Sequence, residues 1–384
     1  MKPVFAALLS ASALLVAACG GASGSLDSAG LPTPATPVAR NDCKADFTPD
    51  RVAAGEDCDP DLNRAMFCPL IPGTQYLRSR TQIIECDGVS VSEHMASGGE
   101  FSADYLAIQP SSGTRPSAIY LGLHYLGATA EYFANLTRLA ELAKARNVLV
   151  LVPQAPNLEG VEIPVVNLPI TVPIVGENGL SRWPTAVTDN VESYLQLLDA
   201  VVADARGRFG AGSVPLYAAG LSNGAPMALF YACGRAGHVD ALLSVAGSQS
   251  NGSLAACAPS TGVGVVLIHG DLDLVTPYAG VPGVSAGIAQ IYQQFRRLNQ
   301  CPDGDMQTVL QDNGGRVTID YTRPCRNQKR VVLATSNGNG HNWPGDDSGA
   351  IVGLEVPVGP FGPARNDIDA TIQGFDLLRY AGAN

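Results

Sequence analysis

The apolar positions of this 384-residue chain switch repeatedly between two periods. Short β-branched or alternating runs predict strands at Ile83 to Val91, Phe101 to Ile108, Ser117 to His124 and Val148 to Val152. The same signal recurs at Val214 to Ala219, Ala241 to Ala246, Val263 to His269 and Val331 to Ala334. Between them, helical spacing takes over. Glu131 to Arg146 puts Leu136, Leu139, Ala140 and Ala143 on one face, and Asp189 to Phe209 starts behind Thr188 or Asp189 as a cap. Ala225 to Cys233, Ser285 to Leu298 and Asp367 to Tyr380 complete the predicted helices. A run such as Val148 to Val152 has no polar face, which suits a strand buried on both sides. Strands alternating with helices predict an α/β fold whose central sheet is mostly parallel and covered by helices on both faces.

Two regions do not follow this rhythm. Residues 157–180 hold Pro164, Pro169 and Pro173 among Val, Ile and Leu, a spacing that forbids a helix and most central strands. A long insertion of this kind is either a lid or pocket wall, or a segment packed on the core for its own stability. At the other end, Lys2 and the apolar run Val4 to Val16 have the form of an export signal over residues 1–19. Leu15-Val16-Ala17-Ala18-Cys19 resembles a bacterial lipobox, which implies lipidation of Cys19 and a lipid anchor to a membrane. Residues 20–42 then read as a Gly/Ser/Pro-rich tether, 43–80 as a cysteine-bearing extension without periodicity, and 81–384 as the catalytic domain.

Composition narrows the class. With 46% hydrophobic and 15% charged residues there is ample material for one large core. A net charge of −11 excludes a nucleic-acid partner and disfavours a polyanionic substrate, because phosphate binding needs a concentrated basic face. Setting Cys19 aside, eight of the nine cysteines remain: Cys43, Cys58, Cys68, Cys86, Cys233, Cys257, Cys301 and Cys325. An even set in an exported chain predicts disulfides. Closeness along the chain suggests Cys233 with Cys257 and Cys301 with Cys325, and the four N-terminal cysteines among themselves. With no Cys-x-x-Cys or His-Glu-x-x-His pattern, no metal site and no cofactor are expected.

The chemistry begins at Gly220-Leu221-Ser222-Asn223-Gly224, where a predicted strand gives way to a predicted helix. Small neighbours let strand and helix approach closely, and the sharp turn projects the Ser222 hydroxyl at the carboxyl edge of the sheet. In an α/β-hydrolase fold the acid follows the serine and the histidine comes last. His341 lies in a late loop between Gly340 and Gly345. His269 also follows Ser222 but ends a strand and is expected to bond the backbone there; His94, His124 and His238 are expected to be structural. The loop after Val263 to His269 offers Asp271, placed to brace the loop, and Asp273, placed to face His341. The backbone N–H of Asn223 would hold the oxyanion, with Tyr125 or Leu126 supplying a second donor from the loop after Ser117 to His124.

Three separated motifs then carry a resemblance. Gly220-Leu221-Ser222-Asn223-Gly224, His269-Gly270-x-x-Asp273-x-x-x-Pro277-Tyr278 and Gly340-His341-x-Trp343-Pro344-Gly345 resemble the secreted polyhydroxybutyrate depolymerase and feruloyl esterase group of the α/β-hydrolase superfamily. The similarity runs from residue 83 to the C-terminus and includes Asp189-Asn190-Val191. It implies Ser222, Asp273 and His341 as the triad, choosing Asp273 over Asp271. It also implies cystines near the helix after the nucleophile and near the penultimate strands. This chain departs from the group in carrying His124-Tyr125 where His-Gly is usual, so that Leu126 aligns best as the donor, and in the length of the 157–180 insertion. The expected activity is hydrolysis of carboxylic esters outside the cytoplasm, on a polymeric polyester or a phenolic ester. Two rivals are a peptidase on the same triad, which would need a pocket for a peptide terminus, and a non-catalytic surface lipoprotein that binds without turnover, which would suit a degenerate triad.

Overall fold

A computed structural model of the chain describes residues 43, 46–60, 88–158, 180–259, 261–311, 315–345 and 361–383. Cys19 and the signal segment, the 20–42 tether, Cys68, Cys86, Ile83 to Asp87 and residues 159–179 of the insertion lie outside them.

The central sheet is built from β1 (Val89–Gly98), β2 (Phe101–Pro110), β3 (Ala118–Leu123), β4 (Val148–Pro153), β5 (Leu216–Leu221), β6 (Ala241–Val245), β7 (Gly264–Gly270), β8 (Met306–Leu310), β9 (Val317–Thr322) and β10 (Val331–Ser336). Their spatial order is β1-β2-β4-β3-β5-β6-β7-β10-β9-β8. The six strands from β4 to β10 in that order are mutually parallel, and two antiparallel strands flank them on each side.

The helices are α1 (Pro49–Ala53), α2 (Ala130–Leu136), α3 (Leu139–Arg146), α4 (Val191–Arg208), α5 (Gly224–Gly234), α6 (Asn251–Ala256), α7 (Ile288–Leu298) and α8 (Ile372–Gly382). Side-chain alternation along β4 explains why its sequence is apolar throughout. Val148, Val150 and Val152 pack into one core with Phe133, Leu139 and Phe375 from α2, α3 and α8. Leu149 and Leu151 pack into a second with Leu198, Met227 and Phe295 from α4, α5 and α7. Each such buried aliphatic stabilises the fold by about 1.5–3 kcal/mol. The chain is an α/β-hydrolase fold.

Several elements differ from their sequence expectation, each for a local reason. Glu131 to Arg146 is two helices. The Thr137 hydroxyl donates back to Phe133 O at 2.7 Å and Arg138 turns left-handed at φ 56°, so the chain restarts at Leu139. Neither Thr188 nor Asp189 caps α4; Asn190 occupies that place at φ 52°, while the Asp189 carboxylate accepts Thr185 N and Ala186 N. Ser285–Ala286 pairs with Gln249–Ser250 as a short antiparallel ladder, which delays α7 to Ile288. The Asp369 carboxylate accepts Thr371 N and Ile372 N, which holds the preceding residues in a turn and starts α8 at Ile372. The hairpin of β8 and β9 was not predicted, because β8 is an edge strand with an exposed, half-polar face.

Among the described residues there are three cystines: Cys43–Cys58, Cys233–Cys257 and Cys301–Cys325. The Cys43–Cys58 segment is tied to the rest of the chain by polar contacts. Cys58 O accepts from Gln311 and Gln373, and Phe47 N donates to Asp376 of α8. Among the described residues no helix is long and apolar enough to cross a membrane.

The strand order fixes where a site can form. From β3 the chain runs through α2 and α3 to β4 on one side, then returns through α4 to β5 on the other. The loops leaving the carboxyl ends of β3 and β5 therefore diverge and leave a crevice between them, the usual ligand position in such sheets.

Candidate active site

Ser222 stands at that crevice, one residue beyond β5. Its φ of 52° is in the left-handed region, a conformation that costs a non-glycine residue about 1–3 kcal/mol and persists only when its surroundings impose it. Here Ser222 N donates to Val245 O of β6 at 3.0 Å, and Ala225 N donates back to Ser222 O at 3.1 Å. The flanking glycines are needed for space. A Cβ on Gly220 would meet the backbone of Gly224, and one on Gly224 would meet Leu123 O and His124 O.

Three side chains form a continuous relay. His341 Nε2 is 2.9 Å from Ser222 Oγ, and His341 Nδ1 is 2.8 Å from Asp273 Oδ2. With the ring proton on Nδ1, His341 donates to the carboxylate and accepts from the serine hydroxyl. Both His341 and Asp273 are buried. The ring also stacks on Phe361, with centroids 6.2 Å apart. Its loop is held from behind: His341 N donates to Phe361 O, Gly340 N to Pro363 O, and the buried Trp343 indole to Thr371 Oγ1.

Asp273 is surrounded by donors. Its Oδ1 accepts Val275 N and Thr276 N at 2.9 and 2.8 Å, and its Oδ2 lies 2.8 Å from Thr276 Oγ1 and 3.2 Å from His269 Nε2. Burial alone would push this carboxyl up. The charge of His341 and the hydrogen bonds from His269 and His341 outweigh it and hold Asp273 well below the usual carboxylate range. Asp271 instead accepts Gly338 N at 2.6 Å and braces the loop that carries His341.

The remaining histidines are separated from this relay. His124 is fully buried, donates from Nδ1 to Tyr125 O and accepts Ala155 N at Nε2. Burial pushes it down to about 4, so it stays neutral. His94 bonds Ser92 on β1, and His238 is exposed.

A cavity of about 330 Å³ opens on Ser222. Leu126 and Asn223 form part of its wall, whereas Tyr125 is buried and packs edge-on against Tyr132. Asn223 N has no partner among the described residues. The rest of its wall includes Thr185, Ser248, Ser250 and Ser285, with Val281 and Val284. Asn223 also holds the chain at Trp183 in place: its side chain accepts Trp183 N at 2.8 Å and donates to Trp183 O at 3.0 Å. Arg182, Thr185 and Ala186 all lie within three residues of this clamp and line the cavity.

Sequence reasoning missed four contributors: His269 and Thr276 as donors to Asp273, Phe361 beneath His341, and the Asn223 side chain. The i, i+4 spacing of His269 and Asp273 across a strand end was the available signal for the first.

No protein-family model matches the chain, and no curated protein resembles it significantly. Solved structures do. An acetyl xylan esterase from Aspergillus awamori is 13% identical, with 65% of this chain and 94% of that one covered at a TM-score of 0.49. The esterase PE8 is 18% identical, covering 65% and 93% at 0.41. An alpha-beta serine hydrolase homologue from Coxiella burnetii is 16% identical, covering 65% and 88% at 0.38. At this level of likeness neither activity nor substrate passes from them to this chain.

Proposed function

We propose that this protein is an exported serine esterase, in which Ser222 attacks a carboxylic ester, His341 moves the proton and Asp273 steadies the resulting imidazolium. The observation that carries this reading is the unbroken relay from Asp273 through His341 to Ser222 Oγ, opening on a cavity. As Ser222 Oγ attacks the ester carbonyl, its proton passes to His341 Nε2, and the positive charge on the ring faces an ionised carboxylate. The oxyanion is received by Asn223 N–H and a second N–H from the loop after β3, of Leu126 or Tyr125; the place of Leu126 in the cavity wall favours Leu126. His341 then gives its proton to the leaving alcohol. A water, deprotonated by His341, attacks the acyl-serine carbonyl; the acyl C–O bond to Ser222 then breaks, His341 returns the proton to Ser222 Oγ and the carboxylic acid leaves.

The substrate class follows from the resemblance of the three motifs: a polyester of the polyhydroxybutyrate type or a phenolic ester of the feruloyl type. Residues 1–19 serve as the signal, Cys19 as the lipidated anchor, and 81–384 as the catalytic domain. A panel of p-nitrophenyl acyl esters, methyl ferulate and polyhydroxybutyrate granules tests the reading. Turnover that Ser222→Ala abolishes is expected on at least one of them. Equal turnover by wild type and Ser222→Ala would overturn it.

A further inference from the structure

Among the described residues lining the Ser222 cavity, Arg182 is the one that carries a charge. A guanidinium has five N–H donors in a rigid fork. Among the described residues the Arg182 side chain makes a single hydrogen bond, from Nη2 to Asp189 Oδ2 at a long 3.2 Å, and its buried Nε has no partner. Asp189 does not depend on that bond, because the same oxygen accepts Thr185 N and Ala186 N at 2.9 and 3.1 Å. The arginine is thus held at the wall with most of its donors unspent. Thr185, Ser248 and Ser250 line the same cavity and bring hydroxyl groups to it.

We infer that Arg182 is a specificity-determining residue that receives a carboxylate on the substrate, so that this site prefers esters bearing a free carboxylate in their acyl or alcohol part. This rests on the ester-hydrolase reading of Ser222. A planar carboxylate can take the unspent Nη1 and Nη2 protons side by side, the geometry for which arginine is best suited. The net charge of −11 does not oppose this. Charges farther away than the screening length of about 8 Å at physiological salt are largely neutralised, whereas a guanidinium in the cavity wall acts at contact.

Two matched pairs of esters test it at pH 7: p-nitrophenyl hemiadipate against p-nitrophenyl hexanoate, and 4-carboxyphenyl butyrate against phenyl butyrate. The quantity read is the anionic-to-neutral ratio of kcat/KM within each pair. In at least one pair the wild-type ratio is expected to exceed one, to fall by about tenfold or more in Arg182→Gln, and to rise in Asp189→Asn, which removes the competing carboxylate. A purely bracing arginine would make both variants slow both esters alike. A ratio that is the same in all three proteins overturns the inference, while turnover of the neutral esters with fluorophosphonate labelling of Ser222 would leave the ester-hydrolase reading standing. Absence of both labelling and turnover in the wild type overturns both.

Discussion

His269 Nε2 lies 3.2 Å from Asp273 Oδ2, the same carboxylate oxygen that His341 Nδ1 reaches at 2.8 Å. Asp273 therefore sits between two imidazoles, only one of which touches Ser222. The same Nε2 of His269 lies 2.8 Å from Thr276 O, so its proton is shared between that carbonyl and the carboxylate. The part of His269 is to keep the carboxylate ionised and aimed. Replacing it with Ala removes a donor to a buried charge, an interaction worth about 1.5–3 kcal/mol. The expected result is a fall of roughly tenfold or more in kcat/KM on p-nitrophenyl butyrate, with no change for His238→Ala at the exposed position. An unchanged rate in His269→Ala would remove it from the site.

The same contacts set a pH dependence of stability. The folded Asp273 carboxyl is depressed below its unfolded value of about 3.9, so its contribution is present above that pH and lost as pH falls below it. The difference in unfolding free energy between wild type and Asp273→Asn is expected to be constant from pH 7 to about 5 and to shrink below about 4. Denaturant titrations at several pH values measure it. A difference that grows as the pH is lowered contradicts the depressed carboxyl.

Gly224 is confined by Leu123 O and His124 O at the end of β3. An added methyl group must push the β3 loop, and with it Leu126, away from Asn223. Gly224→Ala is expected to lower kcat by about 10²–10³, the usual cost of a misplaced oxyanion donor. Rates near wild type would show that the two backbones tolerate separation.

Away from the site, Arg146 grips the fully buried Asp376 with Nε at 2.8 Å and Nη2 at 2.7 Å. Burial still leaves this carboxyl above its ordinary value. Arg146→Ala strands a charge in the core and is expected to destabilise by about 3–5 kcal/mol, far more than Arg208→Ala in its exposed pair with Asp204. Urea unfolding of the two variants checks the contrast.

The parallel strands were legible because both faces of each are covered, so their sequences are apolar without interruption. The cores on either side of β4 follow from the same fact. Helix ends were less legible, since they turn on single residues: Arg138 and Asn190 adopt left-handed backbone that their side chains do not announce. The β8 strand was hidden by its polar edge. At the site, Ser222 and His341 stood out through their glycine-flanked turns. Asp273 needed the resemblance to separate it from Asp271, and the structure shows why: the two carboxylates are two residues apart but serve different loops. Arg182, His269 and Phe361 lie 87 to 179 positions apart along the chain and converge only in three dimensions.

The claim that Ser222 is the nucleophile is tested most directly by mapping the adduct of a fluorophosphonate probe on the purified protein. A single phosphonylated peptide containing Ser222, absent from Ser222→Ala and slowed at least tenfold in His341→Ala, is the expected result. Labelling of Ser222→Ala at the wild-type rate, or an adduct on another serine, would contradict it.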